Sequence, residues 1–369
     1  MQLHYREIFL DEKRMAVKLP FAESLQDFHP HGCFPLVEDP KQTGRTVIIG
    51  MFVLRPAHTT WKEPIIKSDG SCSVYDVKDW VYNINTISGG GIIANGNIMD
   101  GCRLGMQYAI TDAVIIGSST VLNDGIPRPD GSPGYRWLPC ICTEWPHLKQ
   151  ADPRMMERFL AQRRLLQNIG YASPRTYPAQ IVVTRSGKAT DPDLLKASIF
   201  HEHLPDGKPI EAYIVTSRQG AELLRARASK FGLGDRIEEM LIILSPPGEP
   251  GNIDLKLLPE KLYNEYNIIM ANHDGGAKVL KAFCAVGIVP QFNFTFARTP
   301  SLYDVVATTD ILDEARRRRI LTNFHNLVLN FFSTADGTMP REFAIVQVLV
   351  DGPDEAAILV LDTRKIITF

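Results

Sequence analysis

The sequence contains no apolar run near the roughly 18 residues that a membrane-spanning helix requires, which excludes a helical span. Charge of one sign is missing too: 40 Lys and Arg stand against 42 Asp and Glu, a formal net charge of −2. Without a basic excess to grip phosphate backbones, nucleic acid is not an expected partner. Cysteine is sparse, with six in 369 residues: Cys33, Cys72, Cys102, Cys140, Cys142 and Cys284. Scattered in a chain with no secretory signal, they read as thiols rather than disulfides. Cys140 and Cys142 lack a second Cys or His pair at ligand spacing, so no metal is expected. Met1 to Arg6 has mixed polarity and no apolar core, so it does not read as a signal peptide, and the cytoplasm is the expected compartment. The G-x-G-x-x-G fingerprint of an ordinary Rossmann domain is absent as well.

What is present is a globular composition, 44% hydrophobic and 22% charged. Residues 1–76 read as an N-terminal extension of unknown role, punctuated by Pro20, Pro30, Pro35, Pro40 and Pro56, with one convincing strand at Thr46–Leu54. Residues 77–369 read as one α/β domain in which short apolar strands alternate with helical periodicity, the pattern of a mostly parallel sheet with flanking helices. The expected strands are Val81–Ile87, Ala113–Ile116, Gln180–Val183, Ala212–Val215, Met240–Leu244 and Asn267–Met270, short apolar runs suited to burial on both faces. Helices are expected near Ile98–Ala109, Pro153–Asn168, Ala221–Phe231, Lys278–Val286 and Thr309–Phe332. Residues 123–177 read as an insertion, irregular at first, that could be a lid or binding loop or merely an insertion. At the C-terminus, Phe343–Val350 and Ala357–Leu361 around Gly352-Pro353-Asp354 read as an antiparallel hairpin on the sheet edge.

Three strand ends carry candidate chemistry. Asn267 to Leu280 runs from an apolar strand through Asp274-Gly275-Gly276 into a helix beginning near Ala277. Paired glycines let a backbone approach a ligand closely, and a helix N-terminus offers free N–H groups and a positive dipole end, which suits a pyrophosphate. A tight strand-to-helix turn with no ligand uses the same residues. Thr111 to Asp124 runs into Gly117, Ser118, Ser119 and Thr120, hydroxyls that can bond phosphate or ribose, or cap the next turn. Gln180 to Gly187 delivers Thr184, Arg185 and Ser186 to a strand's carboxyl end, where open α/β sheets bind ligands. An Arg among hydroxyls can hold the 2′-phosphate that separates NADP from NAD, or can simply be solvated. A fourth strand end, Thr216-Ser217-Arg218, repeats the theme.

These pieces, in this order, resemble the riboflavin-biosynthesis reductase family, which has a dihydrofolate-reductase-like fold. The family opens with a strand ending in Ser-x-Asp-Gly; Asn83 to Ala94 occupies that place. An Ala-Asp-Ala-Val-hydrophobic-Gly-x-x-Thr turn follows, matched by Thr111 to Thr120. Ile181 to Gly187 with Thr190-Asp-Pro-Asp193 matches the next strand end, and Asp274-Gly-Gly276 with Gly287-Ile-Val-Pro290 matches a Glu-Gly-Gly turn and its sequel. The likeness covers roughly Val81 to Phe296. It implies an NADPH-dependent reductase that passes a hydride to a C=N or C=O carbon, and a homodimer. It implies that Gly117, Ser118 and Thr120 meet the cofactor, that Gly275, Gly276 and Ala277 hold its phosphates, and that Thr184, Arg185 and Ser186 lie near the adenosine. The departures fall on substrate-side positions: Gly90 for the Asp, Ile84 for a common Lys, Asp274 for the Glu, and Asn123-Asp124-Gly125 for Asp-Asp-Pro. They point to a different small polar substrate, heterocyclic or sugar-derived, or to a nucleotide-binding homologue without turnover. Residues 1–80 lack the His-x-Glu and Pro-Cys-x-x-Cys of the family's deaminase partner, so no deaminase is expected.

Asp274 is the catalytic candidate, although a helix start favours a carboxylate in any case. Asp124 is a weaker acid of the same kind. His273 could donate a proton near neutral pH or be a buried strand-end histidine. His29 and His31 read as surface loop, and Arg316 to Arg319 as a solvated helix face that could also attract an anion.

Overall fold

The computed structural model describes residues 5–25, 33–54, 87–88, 98–144, 146–296, 343–351 and 357–364, with scattered positions from 318 to 329. Its strands are β1 (Tyr5–Leu10), β2 (Val17–Pro20), β3 (Cys33–Leu36), β4 (Val47–Leu54), β5 (Ile87–Ser88), β6 (Ala113–Gly117) and β7 (Ala179–Val183). They continue as β8 (Ala212–Thr216), β9 (Leu241–Ile243), β10 (Met270–His273), β11 (Gln291–Phe296), β12 (Ala344–Asp351) and β13 (Ala357–Asp362). The helices that frame the site are α1 (Ile98–Ile110), α2 (Ser118–Asp124), α3 (Met155–Asn168), α4 (Arg218–Ala228), α5 (Leu258–Tyr266) and α6 (Ala277–Ala285).

Among the described residues, seven strands run parallel in the order β11-β4-β10-β6-β7-β8-β9. Beyond β11 the sheet turns antiparallel through β13, β12 and β1. The fold is therefore a mixed α/β sheet with a parallel centre and an antiparallel flank. The hairpin β12-β13 pairs through β13 with β11, but β1 covers β12, so the outermost strand on that side comes from the chain's beginning. A separate two-stranded sheet joins β2 and β3.

Alternation explains the layers. Ala113 and Ile115 face one side with Ile181, Val183, Val215 and Ile242, under Leu262 of α5 and Leu280 and Phe283 of α6. Val114 and Ile116 face the other with Val182 and Ile214, under Tyr108 of α1, Phe159 of α3 and Leu224 of α4. Every residue of β6 and β7 is buried, as a strand covered on both faces must be. Leu19, Phe21, Phe34 and Leu36 pack with Val47, Ile49 and Met270, which lays the β2-β3 ribbon on the sheet.

The amino ends of β6 and β10 are tied by one buried ion pair. Arg163 of α3 donates to Asp112 Oδ1 at 2.5 Å, and Ser173 adds its backbone N–H at 2.8 Å and its hydroxyl at 2.7 Å. The second oxygen of Asp112 accepts from Ile269 N–H at 2.7 Å. Both partners are buried, and the surrounding donors satisfy the carboxylate.

The structure differs from several sequence expectations. Among the described residues the first parallel strand is β4; residues 81–86 of the strand expected at Val81–Ile87 lie outside the described set, and Ile87 opens the two-residue β5, antiparallel to β4. The described part of 1–76 thus shares the sheet of 77–369, with β4 between β10 and β11. Asn267 is not in a strand but caps α5 with φ 50, and β10 starts at Met270. Met240 ends a helical turn, Ile237–Met240, before the shorter β9. α4 starts at Arg218 because Ser217 caps it, accepting from Gly220 N–H at 3.0 Å. Between 123 and 177 the chain forms helices whose Cys142, Leu148, Met155 and Phe159 join the core under α1. The stretches holding His29, His31, Ile84 and Gly90 fall outside the described residues, as does most of Thr309–Phe332; Arg318 and its described neighbours are helical.

Candidate functional site

A site is built where chain direction reverses. From β6 the chain moves outward to β7, β8 and β9; from β10 it crosses back over β4 to β11. β6 and β10 are adjacent, so the connections leaving them part in opposite directions and open a crevice at their carboxyl ends. α2 follows β6 and buries Val121 on the α1 face, while α6 follows β10 and buries Leu280 and Phe283 on the opposite face.

The two turns touch, and glycine permits it. A Cβ on Gly117 would come within 2.9 Å of Val279 Cγ2. One on Gly275 would meet His273 Nε2 at 2.8 Å and the Gly117 backbone nitrogen at 3.0 Å, closer than real side chains come. Gly276 is different: its backbone is extended, with φ −64 and ψ 171, and a Cβ there would meet only Thr120 Oγ1 at 3.3 Å. Its N–H donates to Thr120 Oγ1 at 3.2 Å. Thr120 therefore latches α2 to the first turn of α6, and the hydroxyl proton remains available to an acceptor.

A cleft of about 870 Å³ opens here, within the size range of small-molecule sites. Gly117, Ser118, Ser119 and Thr120 form one side, and Gly276, Lys278, Val279 and Ala282 of the α6 turn form another. Val183, Thr184 and Arg185 close the end of β7. The turn of 184–187 is pinned: the Arg185 carbonyl accepts from Thr216 Oγ1 at 3.3 Å and Ser217 N–H at 3.4 Å. Gly187, at φ 52, packs on Gly220, where a Cβ would be 2.4 Å from the Gly220 carbonyl oxygen. The exposed Arg185 and Lys278 bring positive charge to the cleft, and the first turn of α6 adds its dipole.

The fourth wall was not singled out from sequence. It is the loop after β9, which contributes Pro246, Glu249, Asn252, Ile253, Asp254 and Leu255. Ser245 Oγ anchors it, accepting from Arg218 N–H at 2.7 Å, and Gln219 N–H reaches the Pro250 carbonyl at 2.8 Å. The signal was Ser245-Pro-Pro-Gly-Glu-Pro-Gly-Asn252, a turn cluster directly behind a strand.

The candidates thus divide. Gly117, Ser118, Thr120, Thr184, Arg185 and Gly276 meet in one cleft. Ser186 does not line it and accepts from Lys188 N–H at 3.4 Å. Gly275 is buried behind the lining, and Ala277 opens α6. Asp274 also lies off the cleft, on the α1 side of β10, where the Tyr108 hydroxyl donates to its Oδ2 at 2.5 Å. His273 is wholly buried against Phe283, and burial pushes its pKa down to about 3, so it is neutral at physiological pH and has no proton to give as an imidazolium. Asp124, exposed at the end of α2, has its pKa raised by desolvation and does not line the cleft. Among the described residues, no cluster of three His, Cys, Asp or Glu could hold a metal, and no helix is long and apolar enough to cross a membrane.

No family model matches the chain, and no curated protein matches it. Solved structures are similar to it. RibD of Acinetobacter baumannii aligns with a TM-score of 0.41 at 14% identity, over 88% of this chain and 60% of that one. The chain therefore spans less than two thirds of RibD. A pyrimidine reductase-like protein of Corynebacterium diphtheriae aligns with a TM-score of 0.46 at 12% identity, over 89% of this chain and 96% of that one. The riboflavin biosynthesis reductase Rib7 of Saccharomyces cerevisiae aligns with a TM-score of 0.38 at 11% identity, over 88% and 95% of the two chains.

Proposed function

We propose that this chain is an NADPH-dependent reductase of dihydrofolate-reductase-like fold, acting on a small polar heterocyclic or sugar-derived molecule. The observation that carries the reading is the contact of two glycine turns at the β6-β10 crevice, beside a cleft lined by Thr120, Arg185 and Lys278. The residues fit a dinucleotide. Gly276 leaves open a space that a side chain would fill, the nine-residue α6 starts there, and Arg185 supplies a fork for a phosphate.

Bound there, NADPH supplies a hydride for a C=N or C=O carbon. Gly276 and the start of α6 receive the pyrophosphate. The Thr120 hydroxyl, whose oxygen is occupied by Gly276 N–H, donates its proton to a phosphate oxygen. Arg185 and Thr184 hold the 2′-phosphate and ribose. Val183, Ile253, Leu255, Val279 and Ala282 exclude water from the flat faces of the ligand. Asp274, one residue ahead of Gly275 on the α1 side, takes the substrate side, where it holds a polar group of the substrate or hands on a proton. The cytoplasm and a homodimer are the working assignments for compartment and assembly.

Fluorescence titration with NADPH and NADH tests this. Micromolar NADPH binding is expected, weaker for NADH, with the preference reduced in Arg185→Ala; binding of neither nucleotide would end the reading. A second reading, nucleotide binding without turnover, is favoured by Gly90 and Ile84, which stand where the resembled family has Asp and Lys. It predicts NADPH binding with no oxidation by imine or pyrimidine substrates.

A further inference from the structure

Asp274 is held from behind by a residue that sequence reading did not mark. Tyr108 lies on α1 with no exposed surface, and its hydroxyl donates to Asp274 Oδ2 at 2.5 Å. The Asp274 backbone is clamped as well, its N–H donating to the Ile115 carbonyl at 3.0 Å. The carboxylate itself is half-buried, just past the carboxyl end of β10. A second phenol, Tyr135, stands beside Tyr108 and Cys142, its ring edge-on to Trp137 at 5.2 Å.

Chemistry gives this arrangement one direction. Desolvation first, and then the Asp274 charge, pushes Tyr108 well above the usual phenol range; burial, Cys142 and Asp274 do the same to Tyr135. Neither phenol ionises near neutral pH, so Tyr108 acts toward Asp274 only as a donor. Titratable groups set against Asp274 include Tyr108 from α1 and Tyr135 from the segment that holds Cys142, whose thiol stands beside both phenols. Tyr108 and Cys142 are buried in the core under the sheet. A donor aimed at a carboxylate from a dry core favours its charged form and a single rotamer.

We propose that Tyr108 is a positioning residue that fixes the Asp274 carboxylate, charged and in one orientation, at the substrate side of the β6-β10 crevice. This rests on the reductase reading above. Packing alone would be met equally by phenylalanine, whereas the positioning role requires the hydroxyl.

The test is ¹³C NMR of the full chain labelled at aspartate carboxyls, titrated from about pH 3 to 8, with Asp274→Asn identifying the resonance. Tyr108→Phe is expected to move the Asp274 midpoint up by about one pH unit, the usual worth of a hydrogen bond to a charged group. NADPH affinity should stay within about twofold, since the glycine turns are untouched. If Tyr108→Phe fails to fold, 3-fluorotyrosine incorporated at position 108 keeps the shape and strengthens the donor, and the midpoint should move down. An unmoved midpoint in whichever variant folds overturns the proposal even if NADPH binds. Absence of NADPH binding by the unaltered chain overturns the reductase reading, and with it the substrate-side role, whatever the midpoint does.

Discussion

Gly276→Asp offers a perturbation whose size follows from the structure. The backbone there has an ordinary extended φ, and an added Cβ meets only Thr120 Oγ1 at 3.3 Å, so the variant should fold with little loss of thermal stability. What changes is charge at the mouth of the cleft. Two like charges about 4 Å apart repel by about 1 kcal/mol in water and about 4 kcal/mol at an effective dielectric near 20. An open cleft with solvated Arg185 and Lys278 lies between these limits, so about 2 kcal/mol is a fair figure, roughly a thirtyfold loss of NADPH affinity. Gly276→Asn carries almost the same bulk without the charge. The ratio of the two dissociation constants therefore isolates the electrostatic part, which should shrink as salt shortens the screening length. Equal losses in Asp and Asn would mean that the turn is sensitive to bulk alone. Full binding by both would mean that no phosphate lies near Gly276, and the pyrophosphate assignment would fall.

Other substitutions probe the frame. Gly275→Ala forces a methyl against His273 Nε2 and the Gly117 nitrogen; it should lower stability by about 1–3 kcal/mol in chemical denaturation, unlike the neighbouring Gly276. Below about 6.5 an unfolded His273 takes up a proton that the native one refuses down to about 3, so stability is full above that window and is lost as pH falls through it. His273→Gln should reduce the fall in unfolding free energy between pH 6.5 and 4.5, measured by urea titration, by about 2–3 kcal/mol relative to the unaltered chain, and parallel curves would refute the assignment. Arg163→Met strands the buried Asp112 carboxylate and should cost about 3–5 kcal/mol, seen as a large drop in melting temperature at neutral pH.

The parallel core was legible in the sequence where the buried strands are mostly apolar. β6, β7 and β8 are short and mostly apolar, and their turns into Gly117, Thr184 and Ser217 were readable from residue type. β10 was harder. Its last residues, Asn272 and His273, are polar yet buried, so the apolar run Asn267 to Met270 seemed to be the strand, when Asn267 ends α5 in a left-handed turn. β4 was read correctly as a strand, but its partners come from residues 270–273 and 291–296, and one-dimensional pattern carries no pairing. For the same reason Tyr108 was not singled out: nothing in the order of residues says that its hydroxyl meets Asp274. The loop at 245–254 was visible as a turn cluster, though only the topology sets it against the β6 and β10 turns.

The slot that β10 fills between β4 and β6 has a consequence for synthesis. When residues up to Asp124 have left the ribosome, β4 and β6 both exist, but the strand that joins them lies far downstream, after β7, β8 and β9. Until then each presents an open edge of unpaired backbone groups, a template for pairing with another chain. Insertion of β10 seals those edges and, in the same stroke, brings Gly275 onto Gly117. Closing the sheet and completing the cleft are one event, so any ligand that binds only the finished cleft would also hold that closing strand in place.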